Sequence, residues 1–594
     1  AAEAPNPTAY FGTNEPFAAN AVYFVLPDRF VNGDKSNDHR DQGKGKGNDA
    51  ALHTFDRPVP GAPAGRSDNV GYLGGDFKGV LDNAQYIKDM GFGAVWITPI
   101  VDNPDEAFTG GEPVKWEGFW TDKGKTGYHG YWGVDFYKLD EHLPSKDLDF
   151  RGLTKGLKSH GLLTVLDIVM NHGSPAFTMP KAQPKFGKIY DADGKLIADH
   201  MNLPPAKLDP KNPFNLFYNT KGNLAQLSDI NENDPRVLPY FLGAYEQWIG
   251  QGADAFRIDT IGWMPHAYWH AFTTKIREKH PGFFMFGEDF GYDANKIAEH
   301  TWPENGGVSM LDFPLQKAVS EVFGKTGGGF EKIGDALRLT DGPYANPYDL
   351  MTFYDNHDMQ RMDATDEGFI DANNVLFTMR GIPVIYYGSE TGFERGTKEH
   401  AGNRNYYGQE RIDAASASPI YPRLKRIANL RAATPALQRG LQVDVEMQGD
   451  QAAFYRVLQE GKTAQIALVL LNKGAAPARF VVRQGLQAGM WKPAFGGAAI
   501  DVAVGGQLES TVAPHDVAVF LLDAGLNLNA QGFRNLVAAD AKVGLLRTTK
   551  FWAEIYPTLV RDEHLEFLSR VGASYLGVGL QSLDERVLKL HDRP

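Results

Sequence analysis

Cysteine is absent from all 594 residues, which excludes disulfides, thiolate metal sites and cysteine nucleophiles together and leaves the redox compartment unreadable. Basic runs are absent too. The chain carries 60 basic against 73 acidic residues, a formal net charge of -13, so a polyanion such as nucleic acid is repelled over most of the surface and a neutral polymer fits better. No apolar run reaches the ~18 residues that a membrane span needs. The start, AAEAPNPTAY, has no basic segment followed by an apolar one. Its small residues suit the neighbourhood of a cleavage site, so it reads as a mature end left by removal of a signal peptide, with a periplasmic or extracellular location.

What the chain does contain is apolar mass and aromatics. At 42% hydrophobic residues over this length, several cores are expected, at roughly 100 to 200 residues per domain. The 24 Tyr, 10 Trp and 36 Phe suit stacking on sugars, although most of them belong in a core. Short apolar runs stand at 21–30, 94–100, 162–170, 253–261, 283–288, 308–313, 350–355 and 382–388, separated by helix-period segments. Such alternation predicts an α/β fold with a parallel (β/α)8 TIM barrel, whose chemistry sits at the C-terminal strand ends. His172, Asp259, Glu288 and Asp358 all fall at such ends.

The most informative stretch is GADAFRIDT, Gly252 to Thr260. Side chains two apart on a strand share a face, so Arg257 lies beside Asp259 and holds its carboxylate ionised. FFMFGED ends another run on Glu288, LMTFYDNHD carries His357 and Asp358, and LLTVLDIVMNH carries Asp167, Asn171 and His172. Taken in order, DIVMNH, FRIDT, FGED and FYDNHD resemble the four signature regions of the α-amylase family of glycoside hydrolases, nearest the cyclodextrin glucanotransferase and α-amylase branch. A single tetrapeptide would be weak, but all of them in register over about 190 residues are specific. The resemblance covers roughly residues 20 to 523.

The resemblance implies a small domain inserted after the third strand, where about eighty residues rich in Pro, Asn, Asp, Lys and Gly exceed an ordinary barrel loop. It also implies an antiparallel β-sandwich where alternating runs such as AAFYRVL and AQIALVLLN replace the helical pattern. The expected organisation is an extension at 1–19, barrel at 20–172 and 229–434, insert at 173–228, sandwich at 435–524 and a tail at 525–594. The tail, especially SYLGVGLQSLD, resembles a middle fragment of a radical S-adenosylmethionine enzyme, but such enzymes hold a cluster through three cysteines. It is therefore given no activity and reads as a fusion or gene-boundary oddity, with a helical appendage on the barrel as the alternative.

Residue by residue, the resemblance implies Asp259 as nucleophile, Glu288 as acid/base and Asp358 as the group that binds and distorts the sugar. Burial behind FFMFG would raise the Glu288 pKa. His129 and Tyr131 of YHGYW, with His172 and His357, would contact the same ring, and Asp167 would orient Arg257. Structural histidines and ordinary core aromatics are the alternative for these. A calcium site is implied at NGDKSND and GYLGGDF, using Asn32, Asp34, Asn37, Asp38, the Gly74 carbonyl and Asp76, oxygen donors at the short intervals a hard cation prefers. An Asx-rich surface turn is the alternative. A second would use Asn171, Asp229 and the Trp263 carbonyl.

Departures bear on specificity. Gly262 and Trp263 stand where relatives of this branch carry lysine and histidine, and Ala225 where cyclising relatives carry a central aromatic; Phe290 matches an acceptor-side aromatic. The expectation is a monomeric retaining endo-type hydrolase of α-1,4-glucosidic bonds in starch or maltooligosaccharides. A glucanotransferase using the same residues is the alternative, and a non-catalytic carbohydrate-binding protein the remote one.

Overall fold

Apolar runs with no polar face, such as VYFV and FMFG, belong to strands buried on both sides. In the computed structural model, which describes residues 10–43, 52–63, 70–118, 120–340, 342–460, 463–523, 552–555 and 575–578, the eight expected runs form one parallel sheet. Its strands are β1 Val22–Val25, β2 Ala94–Ile97, β3 Leu163–Ile168, β4 Ala255–Ile258, β5 Phe284–Gly287, β6 Ser309–Met310, β7 Met351–Thr352 and β8 Ile382–Tyr386. They lie in the order β6-β5-β4-β3-β2-β1-β8-β7, and a parallel bridge between Leu311 and Met351 joins the two ends. The result is the expected (β/α)8 barrel. The strands are shorter than their apolar runs because chain just past each strand turns into buried loop; β6 and β7 keep only two residues each.

Register sets the site before any side chain is considered. Arg257 of β4 is the lateral partner of Asp167 on β3, and Ile258 that of Gly287 on β5. Asp259 and Glu288 therefore stand one residue beyond their strands, pinned by backbone bonds from Asp259 N to Ile168 O at 2.9 Å and from Glu288 N to Ile258 O at 2.9 Å. Gly287 has a packing reason: a Cβ there would come within 2.9 Å of Ile261.

Between β3 and the helix Val237–Gly250 the chain builds the insert. His172–Pro175 pairs antiparallel with Leu227–Asp229 at its root, and Lys188–Tyr190 and Leu196–Asp199 join Val101–Asp102 and Asp135–Leu139 in a four-stranded sheet. Phe108, Trp132, Met179 and Phe186 form a small core tying the loop after β2 to the insert.

After a short helix, Pro435–Arg439, the chain turns to antiparallel strands. A six-stranded sheet faces a two-stranded one, Ala478–Val482 with Leu508–Val512. Strand alternation gives the larger sheet two duties. Ala452 and Phe454 pack toward the barrel core, whereas Ala453 and Tyr455 pack with Phe480, Trp491 and Leu508 inside the sandwich. Of the tail, Trp552–Ile555 and Tyr575–Val578 pair in parallel; the rest of that segment lies outside the described residues.

Candidate active site

A cavity of about 500 Å³ opens at the C-terminal end of the barrel, and Asp259, Glu288, Asp358, His129, Tyr131, His172 and Phe290 all line it. Arg257 lies beneath, fully buried. Its Nη1 donates to Asp167 Oδ1 at 3.0 Å and to Asp259 Oδ1 at 2.7 Å, and its Nη2 lies 2.9 Å from Glu288 Oε1. One guanidinium thus brings together three carboxyl groups from three strands. Asp167 accepts further bonds from Tyr131 Oη at 2.7 Å and Trp96 Nε1 at 3.1 Å, which fixes the arginine in place.

Such a buried cluster is stable only while complete. Removing the cation leaves Asp167, Asp259 and Glu288 facing one another out of water, a change that costs about 3 to 5 kcal/mol. Arg257→Leu should therefore lower the unfolding temperature clearly, as read by calorimetry, in addition to abolishing turnover. An unchanged transition would show that the cluster is not held through this residue.

The electrostatics separate the carboxyl groups. Burial, reinforced by the charges of Asp358, Asp259 and Asp167, outweighs Arg257 and pushes Glu288 up to about 8, so it is protonated at neutral pH. Asp259 keeps the shortest bond to Arg257. Asp358 lies on the loop past β7 and lines the cavity, whereas the expected sugar contact His357 stays buried behind it and outside the lining. His357 Nε2 is 3.2 Å from Asp358 Oδ2, and the ring stacks on Tyr131 at 5.4 Å. Burial holds His357 down to about 3 and lowers His172 and His129 as well. These rings are neutral at pH 7. His129 Nδ1 accepts from Tyr131 N at 3.0 Å, so its Nε2 carries the proton available for a ligand hydroxyl.

Several participants gave no sequence signal. Arg404, from the loop past β8, donates to Asp358 Oδ1 at 2.8 Å, to the His357 carbonyl at 2.9 Å and to Tyr128 Oη at 3.2 Å. Trp120 lines the cavity although it is 59% exposed. Thr260, beside Asp259, has φ 48, a left-handed conformation that a β-branched residue adopts at a cost of about 1 to 3 kcal/mol and that clusters at functional sites.

Of the expected metal ligands in the first set, Asn32, Asp38 and Gly74 lie side by side. Asn32 Nδ2 donates to Asp38 Oδ1 at 2.7 Å, and a Cβ on Gly74 would strike both side chains. Asp76 accepts from the amides of Gly33 and Asp34 at 3.1 and 2.8 Å. The Asn32 and Asn37 Oδ1 atoms are buried without a hydrogen-bond partner, the mark of acceptors awaiting a cation. Asp34 Oδ1 is already engaged by the Ser36 amide and hydroxyl, and both Asp76 oxygens by backbone amides, that of Gly79 at 2.8 Å included. In the second set Asp229 Oδ1 is likewise buried and unpartnered, but Asn171 Oδ1 already accepts from Asn223 at 2.9 Å. The Trp263 side chain lies in the cavity. A carboxylate group at Asp102, Asp105 and Glu141 has a lysine on it: Lys185 is 3.0 Å from both aspartates.

The departure at Gly262 has a steric cause. A Cβ there would fall 2.5 Å from the Asp289 carboxyl group, which pairs with His300 at 3.2 Å and Lys296 at 3.1 Å. A lysine at 262 and this Asp289 arrangement exclude each other. Ala225 does line the cavity, with a side chain too small to offer a stacking surface there.

Comparison with known proteins agrees with this geometry. The family model described as "Alpha amylase, catalytic domain" matches residues 24–423. The cyclomaltodextrin glucanotransferase of Klebsiella oxytoca is 28% identical over 534 residues, 82% of this chain and 75% of that protein, and that of Bacillus sp. (strain 38-2) is 27% identical over 569 residues, 91% and 72% respectively. Among solved structures, the cyclomaltodextrin glucanotransferase CldA, with a three-domain ABC distribution, is 30% identical with a TM-score of 0.67, covering 85% of this chain and 99% of that one. An Anoxybacillus α-amylase at 24% identity and TM-score 0.63 shares the fold. These relatives lend the radical S-adenosylmethionine resemblance of the tail no support. The match over most of the barrel shows that the chain belongs to the α-amylase family and carries that family's catalytic domain, that of a glycoside hydrolase or transglycosylase.

Proposed function

We propose that the protein is a retaining hydrolase of α-1,4-glucosidic bonds in starch or maltooligosaccharides. The observation that carries this reading is the shared Arg257, which holds Asp259 and Glu288 by 2.7 and 2.9 Å contacts in one cavity. Two carboxyl groups on one guanidinium stand close together, as a double displacement requires with its spacing of ~5 Å. Glu288, protonated through its raised pKa, gives its proton to the leaving oxygen while Asp259 attacks the anomeric carbon. Water, deprotonated by Glu288, then releases the sugar. Asp259 and Asp358, each paired with an arginine, line the cavity, and a carboxylate beside the anomeric carbon stabilises the oxocarbenium character of the transition state. His129, His172 and Tyr131 hold the ring.

Glucan transfer is the second reading, favoured by the glucanotransferase relatives. The small Ala225 in the cavity lining, which offers no ring for a glucan to wrap, supports hydrolysis. Incubation with maltoheptaose should give shorter linear sugars with one new reducing end per bond cleaved. Longer or cyclic products with little reducing-end gain would establish transfer instead.

Calcium fits the first oxygen set: Asn32, Asn37, Asp38, Asp76 and the Gly74 carbonyl would hold it, with Asp34 turned to its own loop. Bound there, it would brace the loop after β1 without entering the chemistry. At 100-fold excess over Kd a bound ion stabilises by about 2.7 kcal/mol, so chelation should lower the unfolding temperature and added calcium should restore it; a temperature indifferent to both would remove the assignment. The second set is proposed on the same terms, at the root of the insert. No described helix is long and apolar enough to cross a membrane, and we place the protein outside the cytoplasm, acting as a monomer on an α-glucan.

A further inference from the structure

The two sides of the barrel hold their carboxyl groups differently. Arg257 of β4 ties Asp259 and Glu288 from below. Asp358 belongs to the other side, where β7, β8, β1 and β2 are consecutive neighbours in the ring. The chain after each of these strands supplies one member of a chain of contacts: Asp358 after β7, Arg404 after β8, Arg29 in the helical turn Pro27–Phe30 after β1, and Tyr128 after β2.

Tyr128 stands between the two arginines. The Arg29 guanidinium carbon lies 3.8 Å from the centroid of its ring, and Arg404 Nη1 donates to its hydroxyl at 3.2 Å. All three side chains are buried, and a cation over an aromatic face is held more strongly out of water than at an exposed site. Charge is balanced at both ends. Arg29 Nη1 is 3.2 Å from Asp28 Oδ2, an oxygen that also accepts from the Leu73 amide at 3.0 Å, and Arg404 Nη2 donates to Asp358 Oδ1 at 2.8 Å. Of these two carboxyl groups, only Asp358 lines the cavity.

The backbone under Arg404 is pinned from several directions. Asn403 Nδ2 donates to the Asn356 carbonyl at 2.8 Å, Arg361 Nε donates to the Asn403 carbonyl at 2.9 Å, and Tyr407 N donates to the Arg29 carbonyl at 2.8 Å. What freedom remains lies at the tip of a long side chain. There Nε and Nη2 both face the loop after β7, at the His357 carbonyl and Asp358, whereas Nη1 reaches across to Tyr128. The hydroxyl thus fixes the third edge of the guanidinium plane. Asp358 is the carboxyl group that most needs such support: its side chain is 33% exposed, against 7% for Asp259 and 5% for Glu288.

We propose that Tyr128, clamped by Arg29, is a positioning residue that sets the plane of the Arg404 guanidinium and thereby the direction in which Asp358 meets the distorted sugar. This rests on the role given to Asp358 above, and it holds for hydrolysis and transfer alike. Because Asp358 acts on the sugar as it distorts, a loosened Asp358 lowers kcat and kcat/KM together and leaves KM in place.

The test compares maltoheptaose kinetics of the parent protein, Tyr128→Phe, Arg404→Met and the double variant, with affinity and binding stoichiometry read by calorimetry in an Asp259→Asn background. Tyr128→Phe keeps the ring under Arg29 and removes only the hydroxyl. It should lower kcat by about 10- to 100-fold, the scale of a ~1 Å misplacement, with KM, affinity and stoichiometry unmoved. In the Arg404→Met protein the same change should cost less than about twofold, since nothing is left to orient, whereas independent effects would multiply. Arg29→Lys, which keeps a cation on the ring, should retain most of the kcat that Arg29→Met loses; the Tyr128→Phe cycle decides even where Arg29→Met fails to fold. An unchanged kcat in Tyr128→Phe, a loss confined to KM as for a direct sugar contact, or losses that multiply in the double variant would overturn the positioning role while leaving the enzyme reading intact. A parent protein with no turnover of maltoheptaose would instead overturn the enzyme reading and this one with it.

Discussion

Turnover of maltooligosaccharides should fall by roughly 10⁴-fold or more when Asp259 is replaced by asparagine, the scale on which loss of a nucleophile registers. The substitution is nearly isosteric. An amide oxygen still accepts the 2.7 Å bond from Arg257, and that guanidinium group's contacts with Asp167 and Glu288 are untouched, so the fold and the cavity should persist. What is lost is the electron pair that attacks the anomeric carbon. Sugar binding, which depends on the histidines and aromatics around the cavity, should be retained, and calorimetric titration with maltoheptaose measures it. A protein that only binds carbohydrate would show no change in any property, which is the outcome that would sink the enzyme reading.

Replacing Glu288 by glutamine should cost about 10² to 10⁴ in kcat, the usual contribution of a positioned acid, and the loss should depend on the leaving group. A glucosyl fluoride needs no proton to depart, so its first step should survive where an ordinary glucosidic bond resists. The parent enzyme has a companion signature in pH. Burial and three neighbouring carboxylates raise Glu288 to about 8, and its role requires the proton. kcat/KM should therefore hold through neutral pH and fall as pH rises through about 8. The same group works against the fold at high pH: its folded pKa lies above the unfolded value, so its contribution to stability is full below the unfolded pKa and is lost as pH climbs through the folded one. Glu288→Gln should abolish the alkaline limb with activated substrates. A limb that persists unchanged would assign the titration to another group.

Much of this was legible because strand chemistry is local. An apolar run interrupted by Arg257 and Asp259 at a spacing of two announces a buried strand with a paired charge, and the structure places both side chains on one face, in contact. Glu288 after FFMFG was readable as a desolvated acid for the same reason. Asp358 was harder, since it lies past the early end of β7 at Thr352, where alternation no longer sets direction; it lines the cavity while His357 stays buried against it. Arg404 was not legible at all. Its loop follows the last strand with no periodicity of its own, and its importance comes from its partner Asp358, 46 positions away along the chain. Trp120 lies in a Gly- and Lys-rich loop segment with no periodicity, and only the folded loop after β2 brings it to the cavity lining. The strain at Thr260 is likewise invisible in a string of letters, because nothing about threonine there predicts φ 48.

The most direct measurement traps the intermediate. The Glu288→Gln protein, given α-maltosyl fluoride, should lose fluoride and form a bond from an Asp259 carboxylate oxygen to the anomeric carbon. With no base to activate water, that ester should accumulate. Mass spectrometry of a peptic digest should find one maltosyl increment on the peptide containing Gly252 to Thr260. An increment on a different carboxylate, or fluoride release with inverted product and no adduct, would contradict the account.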